Sequence, residues 1–178
     1  MSATAVQPRQ TETAALQPWE QQFINRLKNP FLFRLFLLGK LPLGFFSGMR
    51  VTEVSKSHCV ATVPYGWMTR NPFKSTYFAA LAMAAELSTG ALALFAVERT
   101  SPSVAVIIIG MDAKFPKRAV NLTTFTCDEG DVLFNAVKEA QATGEQVTAT
   151  VTTVGRAEDG TEVARFTFTW SFKRRKNG

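Results

Sequence analysis

Glu86 is the side chain in this sequence best placed to do chemistry. It is the one charged residue between Tyr77 and Val97, in a run of alanine, leucine and phenylalanine. Burying an ionised carboxylate without a partner costs several kcal/mol, or else its pKa climbs. Such a group in a low-dielectric cleft can act as a general base or a nucleophile. The plainer alternative is a helix residue paired with a lysine or facing a wet seam. His58 is the single histidine, so a Ser-His-Asp centre would have to run through it, and there is no nucleophile-elbow motif to meet it. His58 and Cys59 supply too few ligands for zinc, and no metal is expected. Cys59 and Cys127 lie far apart without metal spacing. They fit a reducing compartment without a disulfide framework, so a cytoplasmic location is expected.

The element that must carry Glu86 is a long helix. Alanine at 79, 80, 82, 84, 85, 91, 93 and 96 keeps it thin, and only Glu86, Ser88 and Thr89 interrupt its apolar surface. A helix apolar on every side needs cover on every side. The run is long enough to cross a bilayer, but Glu86 would then sit near the midplane, and strand signals follow at once. A buried core helix with no stable membrane insertion is the expectation. Ser75 or Thr76 can N-cap it. Before it comes an irregular loop, Tyr65 to Lys74, with Arg70-Asn71-Pro72 as a turn signal.

Strands surround this helix in the sequence. Met49 to Val63 reads as a hairpin around Lys56-Ser57-His58. Val104 to Ala113, with Val104, Val106, Ile107, Ile108 and Ile109, reads as a central strand covered on both faces, and Gly110 inside it suggests a bulge. Val120 to Cys127 is a further strand, and Asp131 to Ala142 a short helix stopped by Gly144. At the end, Val147, Ala149 and Val151 alternate with threonines. After the turn Glu158-Asp159-Gly160, Ala164, Phe166, Phe168, Trp170 and Phe172 share one face. Hairpin, buried helix and four more strands make an α+β layer of one helix on one curved antiparallel sheet.

The N-terminal third is different. Residues 1 to about 17 are polar, lack a signal-peptide pattern and read as a loose tail. Pro18 starts a helix that Pro30 bends or breaks. A second apolar piece, Phe31 to Leu41, ends at Pro42. This piece is too short to span a bilayer; it can lie on a membrane surface or cap the domain, and the cap is the expectation. The organisation is therefore a tail (1–17), a helical cap (18–44), one α+β domain (45–173) and a basic, solvated tail (174–178). With 46% hydrophobic and 19% charged residues the chain is neither disordered nor fibrous, and fifteen phenylalanines point to a thick apolar interior or an acyl-lined tunnel. The net charge of +6 has no accompanying nucleic-acid motif. It suits a phosphate-bearing small molecule or an anionic membrane surface.

The segment Asn71-Pro72-Phe73-Lys74-Ser75-Thr76-Tyr77-Phe78-Ala79, followed by Ala80 to Glu86, resembles the signature of hotdog-fold acyl-CoA thioesterases of the phenylacetate-degradation type. It is most similar to a branch catalogued as a domain of unknown function. Those proteins have an asparagine, a short loop ending in His-Gly-Gly, and an acid nine residues after the histidine. Asn71, Tyr77 and Glu86 fall on these positions, over a resemblance covering about residues 45 to 172. It implies a hotdog fold and hydrolysis of an acyl thioester, with CoA as part of the substrate and no separate cofactor. The backbone N–H of Phe78 or Ala79 would stabilise the oxyanion. Glu86 would activate water or attack directly, and Asn71 would orient water or substrate. Tyr77 would border the substrate. Separately from the resemblance, Lys114, Lys117 and Arg118 cluster after the Val104–Ala113 strand and Arg70 lies in the motif loop; some of them are expected to meet CoA phosphates, the alternative being ordinary solvated side chains. In many members the site crosses a dimer interface, which implies a homodimer, or a tetramer of two, with Asn71 and Glu86 from different copies. The sequence departs from the signature at Tyr77-Phe78-Ala79, where glycines would let substrate approach the backbone. A hydrolase and a non-catalytic acyl-binding protein both remain open.

Overall fold

The computed structural model describes residues 16–176; the expected tail falls almost wholly outside them. Three short helices come first: α1 (Pro18–Lys28), α2 (Pro30–Lys40) and α3 (Pro42–Ser47). Each starts on a proline, whose missing N–H is lost at a helix start anyway and whose φ is already helical. Asn29 ends α1 and caps α2, its Oδ1 accepting from the N–H of Phe31 and Leu32 at 3.0 and 3.1 Å. Pro42 was expected only to stop a helix. It does so and also opens the next, because the position that ends one hydrogen-bond ladder is N1 of another. Phe23 stacks on Phe95 at 4.6 Å, and buried Glu20 pairs with Lys56 at 2.7 Å, so α1 is fastened to the domain.

Six strands form one antiparallel sheet: β1 (Arg50–Val54), β2 (Cys59–Val63), β3 (Val104–Lys114), β4 (Thr123–Cys127), β5 (Gln146–Arg156) and β6 (Glu162–Arg174), in the order β1-β2-β4-β5-β6-β3. The central helix α4 (Phe78–Val97) lies across it, with thirteen of its twenty residues buried. A second helix, α5 (Gly130–Thr143), packs beside α4 and against β5 and β6. Beneath α4 the alternation in β6 sends Phe166, Phe168, Trp170 and Phe172 into the core. The buried hydroxyl of Ser88 donates to Ala85 O at 2.7 Å and accepts from Thr153 at 2.8 Å, tying α4 to β5. A helix wrapped by a curved antiparallel sheet is the expected hotdog arrangement.

Bulges in β1 and β3 reset the faces of those strands. In β1 the register shifts between Val51 and Glu53, so Val51 and Val54 are both buried although three apart. In β3 it shifts between Ile108 and Gly110. Ile108 and Met111 then oppose Trp170 and Phe168 on the inner face, and Ile107 opposes Ser171 on the outer. The bulge expected from Gly110 is present. The expected position of β3 is corrected: it is an edge strand, not a central one, and Ile107 and Met111 are 64% and 57% exposed. A continuous apolar run carries no information on whether a neighbouring strand lies on both of its sides or on one. Two further differences are local. The N-cap of α4 is Tyr77, without a side-chain cap bond, because Thr76 lies one residue too early and its N–H is held by Ala119 O at 2.7 Å. Arg174 is the last residue of β6 rather than part of a solvated tail, and it donates to Gln141 O at 2.9 Å.

Candidate active site

The loop before α4 is built around Asn71. Its Oδ1 accepts from the N–H of Phe73 and Ser75 at 3.0 and 3.2 Å, and its Nδ2 donates to Ser75 Oγ at 3.1 Å. Side-chain bonds of this kind replace a backbone turn. Lys74, at φ 58°, sits in the left-handed region that non-glycine residues seldom adopt. On the far side Thr69 O accepts from Tyr77 N at 2.7 Å. Thr69 Oγ1 in turn donates to Pro64 O at 2.6 Å. These bonds fix where α4 begins.

At that start Ala80 and Leu81 return their N–H groups to Tyr77 O at 2.9 and 3.1 Å. The N–H groups of Phe78 and Ala79 meet no acceptor among the described residues. They are the orphan donors of a helix N-terminus, where the dipole favours negative charge. A cleft of about 530 Å³ opens beside them, walled by Asn71, Ser75, Thr76, Tyr77, Phe78 and Leu81 on one side and by Phe115, Lys117 and Arg118 on the other. Thr76 is buried, and its Oγ1 has no partner among the described residues. A buried hydroxyl without a bond is uncommon and marks a place where a ligand or water supplies one. The Tyr77 and Phe78 rings meet edge to face at 4.8 Å over the helix start, and both are exposed.

Glu86 lies elsewhere in the same protomer. It lines a cavity of about 580 Å³ between α1, α2 and α4 that is open to one side, with Phe23, Leu27, Phe33, Phe36, Leu87, Ala91 and Leu94 among its walls. Burial holds the Glu86 carboxyl above its ordinary value, and no ion pair of the described residues includes it. Arg26, which shares the cavity, is engaged with Glu98 at 3.4 Å. The carboxylate folds back over Gly90, where a Cβ would collide with Glu86 Oε1 and abut the Trp170 ring at 3.4 Å. Glycine at 90 is therefore what gives the acid its room. Phe78 and Glu86 are eight residues apart on one helix, about 12 Å at 1.5 Å per residue. At 3.6 residues per turn Glu86 also lies about 80° around the axis from Phe78, so the cleft opens at the start of α4 and the cavity further along it, on a neighbouring side.

The fold thus gathers Asn71, Tyr77, Phe78, Lys117 and Arg118 at one cleft. Ala79 is half-buried next to Phe78. Arg70 and Lys114 are exposed and outside the cleft wall: Arg70 bridges to Thr76, and Lys114 ends β3 opposite Arg165. Sequence reasoning missed Thr76 as an unbonded hydroxyl, and it missed the cavity under α1 and α2. Neither leaves a pattern in the chain, because both arise from elements distant in sequence. Among the described residues no three His, Cys, Asp or Glu side chains converge as a metal site would need.

Residues 32–172 match the family model described as a domain of unknown function (DUF4442). No curated protein matches the chain. Among solved structures, a Pseudomonas aeruginosa protein of unknown function, described as a probable thioesterase, superposes with a TM-score of 0.69 at 18% identity, covering 87% of this chain and 95% of its own. A thioesterase from Haemophilus influenzae superposes with a TM-score of 0.58 at 14% identity, over 79% of this chain and 88% of its own. A thioesterase variant from Pseudomonas aeruginosa gives 0.61 at 14% identity, over 80% and 94%. These likenesses carry the fold, and with the match over residues 32–172 the chain belongs to the DUF4442 family of hotdog proteins.

Proposed function

We propose that the protein hydrolyses acyl thioesters, with acyl-CoA as the substrate class. One observation carries this reading: one helix, α4, carries free N–H donors at its start, beside a cleft, and further along an unpartnered carboxyl that lines an apolar cavity. The thioester oxygen is read as accepting from the N–H of Phe78 or Ala79, where the helix dipole steadies charge as the carbonyl carbon becomes tetrahedral. Glu86 takes the proton of an attacking water and returns it to the thiolate as the C–S bond breaks; if Glu86 attacks the carbon itself, the thiolate leaves an acyl–glutamyl anhydride, which water then hydrolyses to the free acid and Glu86, supplying the thiol's proton. A carboxyl whose pKa is raised is the stronger base for this step. The 12 Å between Phe78 and Glu86 is too long for one protomer to do both, so the reading requires Glu86 of a second copy at each helix start. Asn71, with its amide already bonded to the loop, is read as a positioning residue. Lys117 and Arg118, rather than Arg70 and Lys114, are read as the CoA phosphate contacts.

The test is hydrolysis of acyl-CoAs of graded chain length by wild type and Glu86→Gln. We expect turnover in the wild type and a kcat lowered by about 10²- to 10⁴-fold in the variant, the usual share of general-base catalysis. One observation favours a second reading, a non-catalytic acyl-binding protein: the Phe78 ring, packed edge to face on Tyr77, and the Ala79 methyl stand where the signature has glycines at the helix start. That reading predicts no hydrolysis above background in the wild type and an acyl affinity that Glu86→Gln leaves unchanged.

A further inference from the structure

We infer that the outer face of α2 and α3 docks on an anionic lipid surface. Helix α2 is apolar on two sides. Phe33 and Leu37 point into the domain and are buried. Phe31, Leu35 and Leu38 recur at helical spacing on the opposite side, and Leu43 and Phe46 of α3 continue the exposed surface. Phe31 is 75% and Leu43 73% exposed. An apolar face of this extent on a water-soluble surface marks an interaction site.

Charge identifies the occupant. From Gln21 to Thr52 the chain carries Arg26, Lys28, Arg34, Lys40 and Arg50 and no acid at all. Lys28 and Lys40 flank the two ends of α2 and are exposed, and Arg34 lies with its guanidinium 4.3 Å from the Phe45 ring centre. A second copy docked two-fold on this face would bring like charges together, whereas an anionic bilayer complements them. Large apolar side chains flanked by lysine and arginine are the composition of helices that lie in the membrane interface. The helices are too short to span a bilayer, so the contact is peripheral. Leu35 and Phe36 also belong to the wall of the cavity that holds Glu86. The docked face and the cavity are therefore one continuous apolar surface, through which an acyl chain can pass from lipid to protein. The docking itself does not depend on thioester hydrolysis.

The test is co-sedimentation of the full chain with vesicles of phosphatidylcholine alone and of equal parts phosphatidylcholine and phosphatidylglycerol. The wild type is expected to pellet with the mixed vesicles, far less with the neutral ones, and to be released as salt rises. Lys28→Gln with Lys40→Gln should weaken binding to mixed vesicles roughly 30-fold, as expected for two charges near such a surface. Phe31→Gln, Leu35→Gln and Leu43→Gln together should weaken it by at least about tenfold. These side chains are exposed, so each variant is expected to keep its fold, which circular dichroism checks. The inference is overturned if the wild type stays in the supernatant with both vesicles, or if either the lysine variant or the apolar-face glutamine variant pellets as well as the wild type. It is also overturned if the apolar face serves self-association instead, so that the glutamine variant loses a subunit in sedimentation while vesicles bind neither protein.

Discussion

Among the described residues no cation pairs with Glu86, and its burial raises the carboxyl above its ordinary value. This fixes the sign of its effect on stability. Between the ordinary value near 4.5 and the raised folded value, the folded state binds more protons than the unfolded state. Stability from this group therefore falls as pH rises through that window and is flat above it. Glu86→Gln removes the penalty. Melting curves over a pH series should show the variant above the wild type at neutral pH, with the gap closing toward pH 4 and absent below it. A wild type that melts higher than the variant at neutral pH would mean that a cation neutralises Glu86 in solution. The two cysteines make the same physical point. Cys59 and Cys127 are cross-strand partners on β2 and β4, and burial pushes both thiols up, Cys127 to about 11.

At the scale of elements, the start of α4 is the feature to perturb. Phe78 is N1, and Tyr77 before it is extended at ψ 136°, the conformation that a residue preceding proline prefers. Phe78→Pro therefore removes one N–H and preserves the helix, while Phe78→Ala removes the ring and preserves the N–H. If this N–H steadies the oxyanion, the proline variant loses roughly 10²- to 10³-fold in kcat and the alanine variant far less. Equal losses would place the effect in the ring. The facing wall belongs to the segment after β3. Lys117→Glu with Arg118→Glu should raise KM for a CoA thioester and spare a short thioester without the nucleotide; a rise for both would remove these residues from phosphate binding.

For the whole molecule, β3 leaves its edge unpaired with apolar side chains exposed, which in a monomer invites further strand pairing. A dimer in which two β3 strands meet would extend the sheet past the edge that carries Ile107 on one face and Met111 on the other. Sedimentation at micromolar concentration should find a dimer, and Ile107→Lys with Met111→Lys should yield monomer. The same assembly can be tested by complementation. Mixing Glu86→Gln with Phe78→Pro under conditions of subunit exchange should recover about a quarter of wild-type turnover, since half the dimers would hold one intact site of two. No recovery would place both groups in one copy.

Much of this organisation is local in origin and was legible in the chain. Alternation in β5 and β6, the alanine-rich α4 and the glycine bulge in β3 follow from side-chain periodicity and backbone sterics, which act between near neighbours. Glu86 stood out for the same reason, as one charge in an apolar run. The tertiary structure decided what depends on distant segments. It put β3 at the edge, since an apolar run does not encode which neighbour covers it. It bound the Asn71 amide into its own loop and left the Thr76 hydroxyl without a partner. It brought Lys117 and Arg118, but not Arg70 and Lys114, to the cleft. It also folded α1 and α2 over Glu86, so that the acid faces an apolar cavity rather than the cleft its spacing from Tyr77 suggested. Spacing along a helix fixes the face on which a residue lies, whereas what meets that face depends on the packing of chain far away in sequence.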